Sequence, residues 1–262
     1  MKVRVLSALV MLVVFIPIIW IGGIPFKIAT AFISLAALKE ILNLKKSHSE
    51  IPLEVVLCSM LSLAWLILLS DPFTFELNYA AVVCIFLLLF LPTLWYEGKE
   101  KYQSKDALYL SGMIFLLAIT FLSMNVLRTK GLHYLVYVLF ITAATDTCAY
   151  LVGSTIGKHK VAPKISPKKT IEGCVGGSLF GTILPSIYYV YFIGDKPWIV
   201  VIIMTLIISI MGQLGDLFFS KMKRENEIKD FSNLIPGHGG ALDRIDSTIF
   251  AVLTFTLLIS II

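Results

Sequence analysis

The sequence is poor in charge. Asp, Glu, Lys and Arg make up 15% of its 262 residues, whereas 58% are hydrophobic. Soluble domains carry about 25% charged residues and about 45–50% apolar residues even with glycine counted. An ordinary soluble domain is therefore excluded, and the composition is that of a polytopic membrane protein. Cysteine is also scarce. Cys58, Cys84, Cys148 and Cys174 lie in or beside apolar runs with no C-x-x-C pair, which excludes a disulfide scaffold or a zinc ribbon and leaves them as small core residues. There is no basic face interleaved with aromatics, so the net charge of +5 does not indicate nucleic-acid binding. It reads as loop charge facing an anionic leaflet or an anionic substrate. Long polar linkers, internal repeats and inverted pairs of broken helices are missing too, which weighs against the commonest transporter architectures.

What fills the chain is apolar runs. A bilayer core of about 30 Å needs about 20 such residues in a helix. Nine segments qualify, at about 4–22, 24–43, 53–70, 78–96, 107–127, 132–153, 172–193, 197–220 and 240–262. The first lacks a small-x-small cleavage site in "VFIPIIWIGG", so it is read as a retained span. Sixteen Lys and Arg flank these spans on the side of the N-terminus and four on the other. That bias places the N-terminus in the cytoplasm and the C-terminus outside. The expected fold is all-α, a multi-pass bundle of about nine transmembrane helices. The expected division is into supporting helices over 1–130 and a site-bearing part over 131–262.

Ionisable residues inside spans are functional candidates by default. Asp146, Asp216, Asp243 and Asp246 all fall near the cytoplasmic ends of their spans. Asp216 is four residues, about 6 Å, inside Ser220. Asp243 and Asp246, three apart, share a helix face, and Arg244 is turned about 100° from Asp243. Each carboxylate costs on the order of 3 kcal/mol at mid-bilayer, and like charges on one face repel. A divalent cation removes both costs. Mg²⁺ favours a few carboxylates together with waters and substrate phosphates. The plainer alternative pairs Arg244 with one Asp and makes Asp146 a hydrogen-bonded packing residue.

Two long loops share the side of these carboxylates. "STIGKHKVAPKISPKKTI" (154–171) holds five lysines, among them Lys164, Lys168 and Lys169, with Ser166 and Thr170 as hydroxyl donors. It suits a polyanion, and Pro163 and Pro167 prevent a continuous helix. "GSTIGKH" is one residue short of a P-loop and carries His159 where a hydroxyl is needed. The second loop supplies Lys221, Lys223, Arg224 and Lys229, then Gly237, Gly239 and Gly240. These glycines allow close backbone approach to a ligand. The N-terminus of the last span is expected to offer free N–H groups to phosphate. His238 is open between proton carrier, phosphate donor and turn residue. Gly173, Gly177 and Gly181 follow small-xxx-small spacing, read as close helix packing within or between chains.

Together these parts suit phosphoryl or nucleotidyl transfer to a lipid. The stretch "SKMKRENEIKDFSNLIPGHGGALDRID" (220–246) closely resembles the signature of the CTP:phosphatidate cytidylyltransferases, also called CDP-diacylglycerol synthases. Ser220, Lys223-Arg224, Lys229-Asp230, Ile235-Pro236, His238-Gly239-Gly240, Asp243-Arg244 and Asp246 carry it. "PKISPKKTIEG" (163–173) and "GQLGDLFFS" (212–220) are similar to other recurrent stretches of that family. Ala241 and Ile171 depart from the pattern without touching its chemistry. The first five spans resemble the family only in being apolar.

The resemblance implies the reaction CTP + phosphatidate → CDP-diacylglycerol + pyrophosphate. It implies one or two cations, at least one of them Mg²⁺, on Asp216, Asp243 and Asp246, with Asp146 nearby. Lys223, Arg224 and Arg244 would neutralise the phosphates, and Lys164, Ser166, Lys168, Lys169, Thr170, Ser220, Lys229, Gly239 and Gly240 would bind substrate. The setting implied is a bacterial-type cytoplasmic membrane, with the site at the cytoplasmic face and a homodimer as a further expectation. A CTP-dependent kinase of a polyprenol-type lipid is the alternative, and it differs in needing a base for a hydroxyl. A cation or proton transporter would spread its acids across the membrane depth.

Overall fold

The computed structural model describes residues 2–46, 50–71, 73–96, 98 and 101–262. Nine α-helices follow one another among the described residues: α1 (Lys2–Ile21), α2 (Gly23–Lys46), α3 (Leu53–Leu69), α4 (Tyr79–Phe90), α5 (Ser104–Lys130), α6 (Leu132–Ile156), α7 (Ile171–Phe192), α8 (Trp198–Glu225) and α9 (Leu242–Ile261). A 3-10 turn, Leu91–Leu94, extends α4. The nine expected segments each fall on one of these helices. Five of them, α5 to α9, are long and apolar enough to cross a membrane, while Leu9–Ile21, Leu53–Leu69 and Tyr79–Leu94 are apolar but shorter. The chain is thus an all-α membrane protein with one small sheet. The sheet was not anticipated: β1 (Lys160–Ala162) pairs antiparallel with β2 (Ser166–Thr170), setting Lys160 opposite Thr170. Pro163 and Pro167 do stop a helix there, as expected, but the lysine-rich loop folds back on itself as a hairpin.

The chain divides into two compact units. One comprises Met1–Thr129 with Asp230–Arg244, the other Lys130–Lys229 with Ile245–Ile262, so the division falls inside α9. In the first unit, Gly22 (φ +69°) ends α1, and Arg128 donates to the carbonyls of Ile19 (2.6 Å) and Trp20 (2.7 Å). Those are carbonyls that a helix end leaves without partners. Lys45 pairs with the buried Asp106 at 2.9 Å.

The second unit is built on close approach. Apolar side chains gain little by leaving lipid, so helices there associate through packing and interhelical hydrogen bonds. A Cβ on Gly177 would meet the Ala149 Cβ at 2.6 Å, and one on Gly181 would meet the Thr145 Cα at 2.7 Å. The small-residue stripe of α7 is therefore filled by α6 of the same chain. It offers no support for the expected dimer. Polar pairs add to this packing: Tyr137 Oη with Thr205 at 2.6 Å and Thr145 with Ser209 at 2.7 Å.

Candidate active site

The predicted residues fall into two groups. The second unit contains a cavity of about 470 Å³ lined by Asp146, Gln213, Asp216, Lys160, Lys168 and Lys169, among others. α6 supplies Asp146, α8 supplies Gln213 and Asp216, and the hairpin supplies the lysines. Lys169 Nζ lies 2.5 Å from Asp216 Oδ2, and Ser220 Oγ donates to Asp216 Oδ1 at 3.1 Å, one helical turn on. Asp146 is hydrogen-bonded by Ser247, and the charges of Asp146, Asp216 and Asp246 act on one another, with Lys169 and Lys223 as the opposing charges. α9 approaches α8 closely at Gly215, where a Cβ would stand 2.9 Å from the Asp246 carbonyl.

The other predicted residues of this unit are placed less directly. Lys164 is exposed at the hairpin turn, Ser166 is half-buried in β2, and Lys229 is exposed. Arg224 donates to the Ile165 carbonyl (3.2 Å) and the Ile228 carbonyl (2.9 Å), bracing hairpin and loop. Lys223 is buried at the end of α8. Thr170, expected to face substrate, also lines the cavity; it is 4% exposed and caps α7 by accepting from Gly173 N–H at 3.2 Å. Its hydroxyl satisfies one of the donors that a helix start leaves open.

Asp243, His238, Gly239, Gly240 and Arg244 belong to the first unit. Asp243, 9% exposed, accepts at Oδ2 from the N–H groups of Phe231 and Gly240, both at 2.9 Å. Gly237 and Gly239 have φ of +76° and +82° and close a tight turn, with Ile235 N–H donating to Gly239 O at 2.9 Å. Arg244 is exposed.

One expectation is overturned here. The N-terminus of α9 does not present free N–H groups to a phosphate. Glu40 accepts from Ala241 N–H (2.8 Å) and Leu242 N–H (2.9 Å), and Asp243 takes that of Gly240. The helix end is already occupied by carboxylates of the protein. Glu40 escaped the sequence reading although it carried the same signal as Asp146, an acid within a mainly apolar segment.

The chemistry of the donors in the second unit suits Mg²⁺. All are hard oxygens, and Gln213 Oε1, one turn before Asp216, is buried without a hydrogen-bond partner. Among the described residues no group of three His, Cys, Asp or Glu side chains is placed to hold a metal ion. Mg²⁺ does not need such a group, because it retains waters and takes substrate phosphates as ligands.

A membrane-helix bundle whose cavity sets lysines beside carboxylates is suited to phosphate groups at a bilayer. Sequence comparison narrows this. A family profile described as "Cytidylyltransferase family" matches residues 2–262, and the chain belongs to that family. It is 36% identical over 260 residues to the phosphatidate cytidylyltransferase of Staphylococcus aureus (strain COL), covering 96% of each chain. Similar relatives are the phosphatidate cytidylyltransferases of Staphylococcus haemolyticus (35% over 258 residues) and Staphylococcus saprophyticus (34% over 255), again covering 96% of each chain.

Proposed function

We propose that the chain transfers the cytidylyl group of CTP to phosphatidate, giving CDP-diacylglycerol and pyrophosphate. The observation that carries this is the family match along the whole chain. The cavity with Lys160, Lys168, Lys169, Asp146 and Asp216 suits the charges of such a reaction. A phosphatidate oxygen attacks the α-phosphorus of CTP. The bond from that phosphorus to the oxygen bridging to the β-phosphorus breaks, and pyrophosphate leaves with the electron pair. The attacking oxygen is already anionic, so no strong base is required.

The hairpin lysines bind the triphosphate and hold it in line, which is the larger part of catalysis in such displacements. Lys223, Arg224 and Arg244 neutralise the remaining phosphate charge, and Ser220 orients Asp216. Asp216 and Asp246 would hold Mg²⁺, with Asp146 beside them. Asp243 serves first to hold the loop that begins α9. The bound metal supplies charge neutralisation on the phosphates. On this reading all nine helices belong to the membrane domain, with the N-terminus and both lysine-rich loops in the cytoplasm and the C-terminus outside. The lipid enters from the cytoplasmic leaflet of a bacterial inner membrane. A polyprenol-type kinase is not favoured by the family match.

The test is product identification. Purified protein in detergent or liposomes receives labelled CTP, phosphatidate and Mg²⁺. CDP-diacylglycerol with pyrophosphate is expected. CDP with a phosphorylated alcohol, formed when a prenol is supplied, would overturn the proposal.

A further inference from the structure

Glu40, near the end of α2, has no part in the chemistry above, yet it is one of the most completely engaged acids in the first unit. It is 3% exposed. Its Oε1 accepts from Ser232 Oγ at 2.6 Å and from Ala241 N–H at 2.8 Å, and its Oε2 accepts from Leu242 N–H at 2.9 Å. A carboxylate removed from water loses several kcal/mol unless hydrogen bonds replace its hydration. Here two helix-end donors and a hydroxyl do so, and the positive end of the helix dipole adds to them. The fit is close. A Cβ on Gly240 would lie 2.4 Å from Glu40 Oε1, so the second glycine of His238-Gly239-Gly240 is required to admit this side chain.

A second contact from the N-terminal helices reaches the same loop. Ser7 Oγ in α1 donates to the Pro236 carbonyl at 3.1 Å and lies 2.8 Å from His238 Nδ1. Both contacts tie α1 to the Pro236–His238 turn.

We propose that Glu40, assisted by Ser7, is a positioning residue for cytidylyl transfer, fixing the 232–244 loop and the first turn of α9 that carries Asp243 and Arg244. The role rests on the transfer reaction proposed above. It gives the N-terminal helices a part in the reaction beyond supporting the bundle.

The test uses Glu40→Gln in the full chain. The carboxamide has nearly the same shape, but its NH₂ must oppose one of the donors, so at least one charge-assisted bond is lost. Amide hydrogen exchange at 240–242, followed in detergent without substrate, is expected to accelerate about 10–100-fold, the equivalent of one such bond. The kcat should fall by about the same factor through misplacement, with KM for CTP little changed because the lysines are untouched. Faster exchange with wild-type kcat, or a raised KM at unchanged kcat, would overturn the proposal. If Glu40→Gln does not fold, Ser7→Ala and Ser232→Ala decide the matter. Lower kcat at a retained thermal midpoint supports the role, and wild-type kcat in both overturns it. A wild-type protein that makes no CDP-diacylglycerol would instead sink the transfer reading, and that failure shows in the control rather than in the variants.

Discussion

Lys169 Nζ stands 2.5 Å from Asp216 Oδ2, joining the hairpin to α8 at the wall of the cavity. Both side chains are partly accessible, and the lysine can exchange the carboxylate for a phosphate as substrate enters. Lys169→Met is expected to lower kcat/KM for CTP about 10–100-fold, the value of one hydrogen bond to a charged group. The double variant Lys169→Met/Asp216→Asn should lose less than the two single losses combined, because each partner is also spared an uncompensated neighbour. Steady-state kinetics on the four proteins checks this. Strict additivity would mean that the pair is an incidental contact.

Metal dependence is expected on the proposed reaction. Asp146, Asp216 and Asp246 repel one another, and hard oxygen donors select a hard cation. EDTA should abolish turnover and Mg²⁺ restore it. Ca²⁺ should restore it poorly, because it prefers six to eight ligands in looser geometry. A titration of activity against free metal measures this. Full activity in EDTA would remove the metal from the proposal.

The two aspartates that open α9 should behave differently. Asp243 Oδ2 already accepts the N–H groups of Phe231 and Gly240, and an asparagine oxygen can accept the same two. Asp243→Asn should therefore keep the fold and leave the Mg²⁺ concentration for half-maximal rate near the wild-type value. Asp246→Asn should raise that concentration about tenfold or more, as loss of an anionic ligand would. Metal titrations of both variants distinguish them. Equal shifts in the two would make Asp243 a metal ligand on the same footing as Asp246.

These aspartates show what could be read from the sequence. An acid inside an apolar run is conspicuous whatever it contacts, so Asp146, Asp216 and Asp246 stood out, and the hairpin lysines stood out by density. The partners did not. Glu40 lies inside the 24–43 segment beside Lys39 and drew no notice, and its partner Ala241 is 201 positions away. For the same reason the α9 N-terminus looked open, since nothing local reveals a cap brought in from α2. The β1–β2 pairing was hidden because Lys160–Ala162 and Ser166–Thr170 lack the apolar alternation that marks a half-buried strand. Helices α5 to α9 were legible because the length of an apolar run that can cross a membrane is set by the bilayer.

The stripe Gly173, Gly177 and Gly181 is a last case in which spacing was visible and the partner was not. At Gly177 the facing atoms include the Ala149 Cβ and the Thr145 carbonyl, where an added Cβ would stand at 2.6 and 2.9 Å. Neither the α6 backbone nor the alanine can turn aside as a flexible side-chain end could. Gly177→Leu must therefore push α6 and α7 apart, which costs about 1–3 kcal/mol by the measure of overpacked cores. The separation would also disturb the cavity, because α6 carries Asp146 and α7 follows directly on Lys169 and Thr170. A lower thermal midpoint and lower activity are expected together, at an unchanged oligomeric state by light scattering in detergent. If the substitution instead dissociated an oligomer while the thermal midpoint held, α7 would be packing against a second copy of the chain rather than against α6.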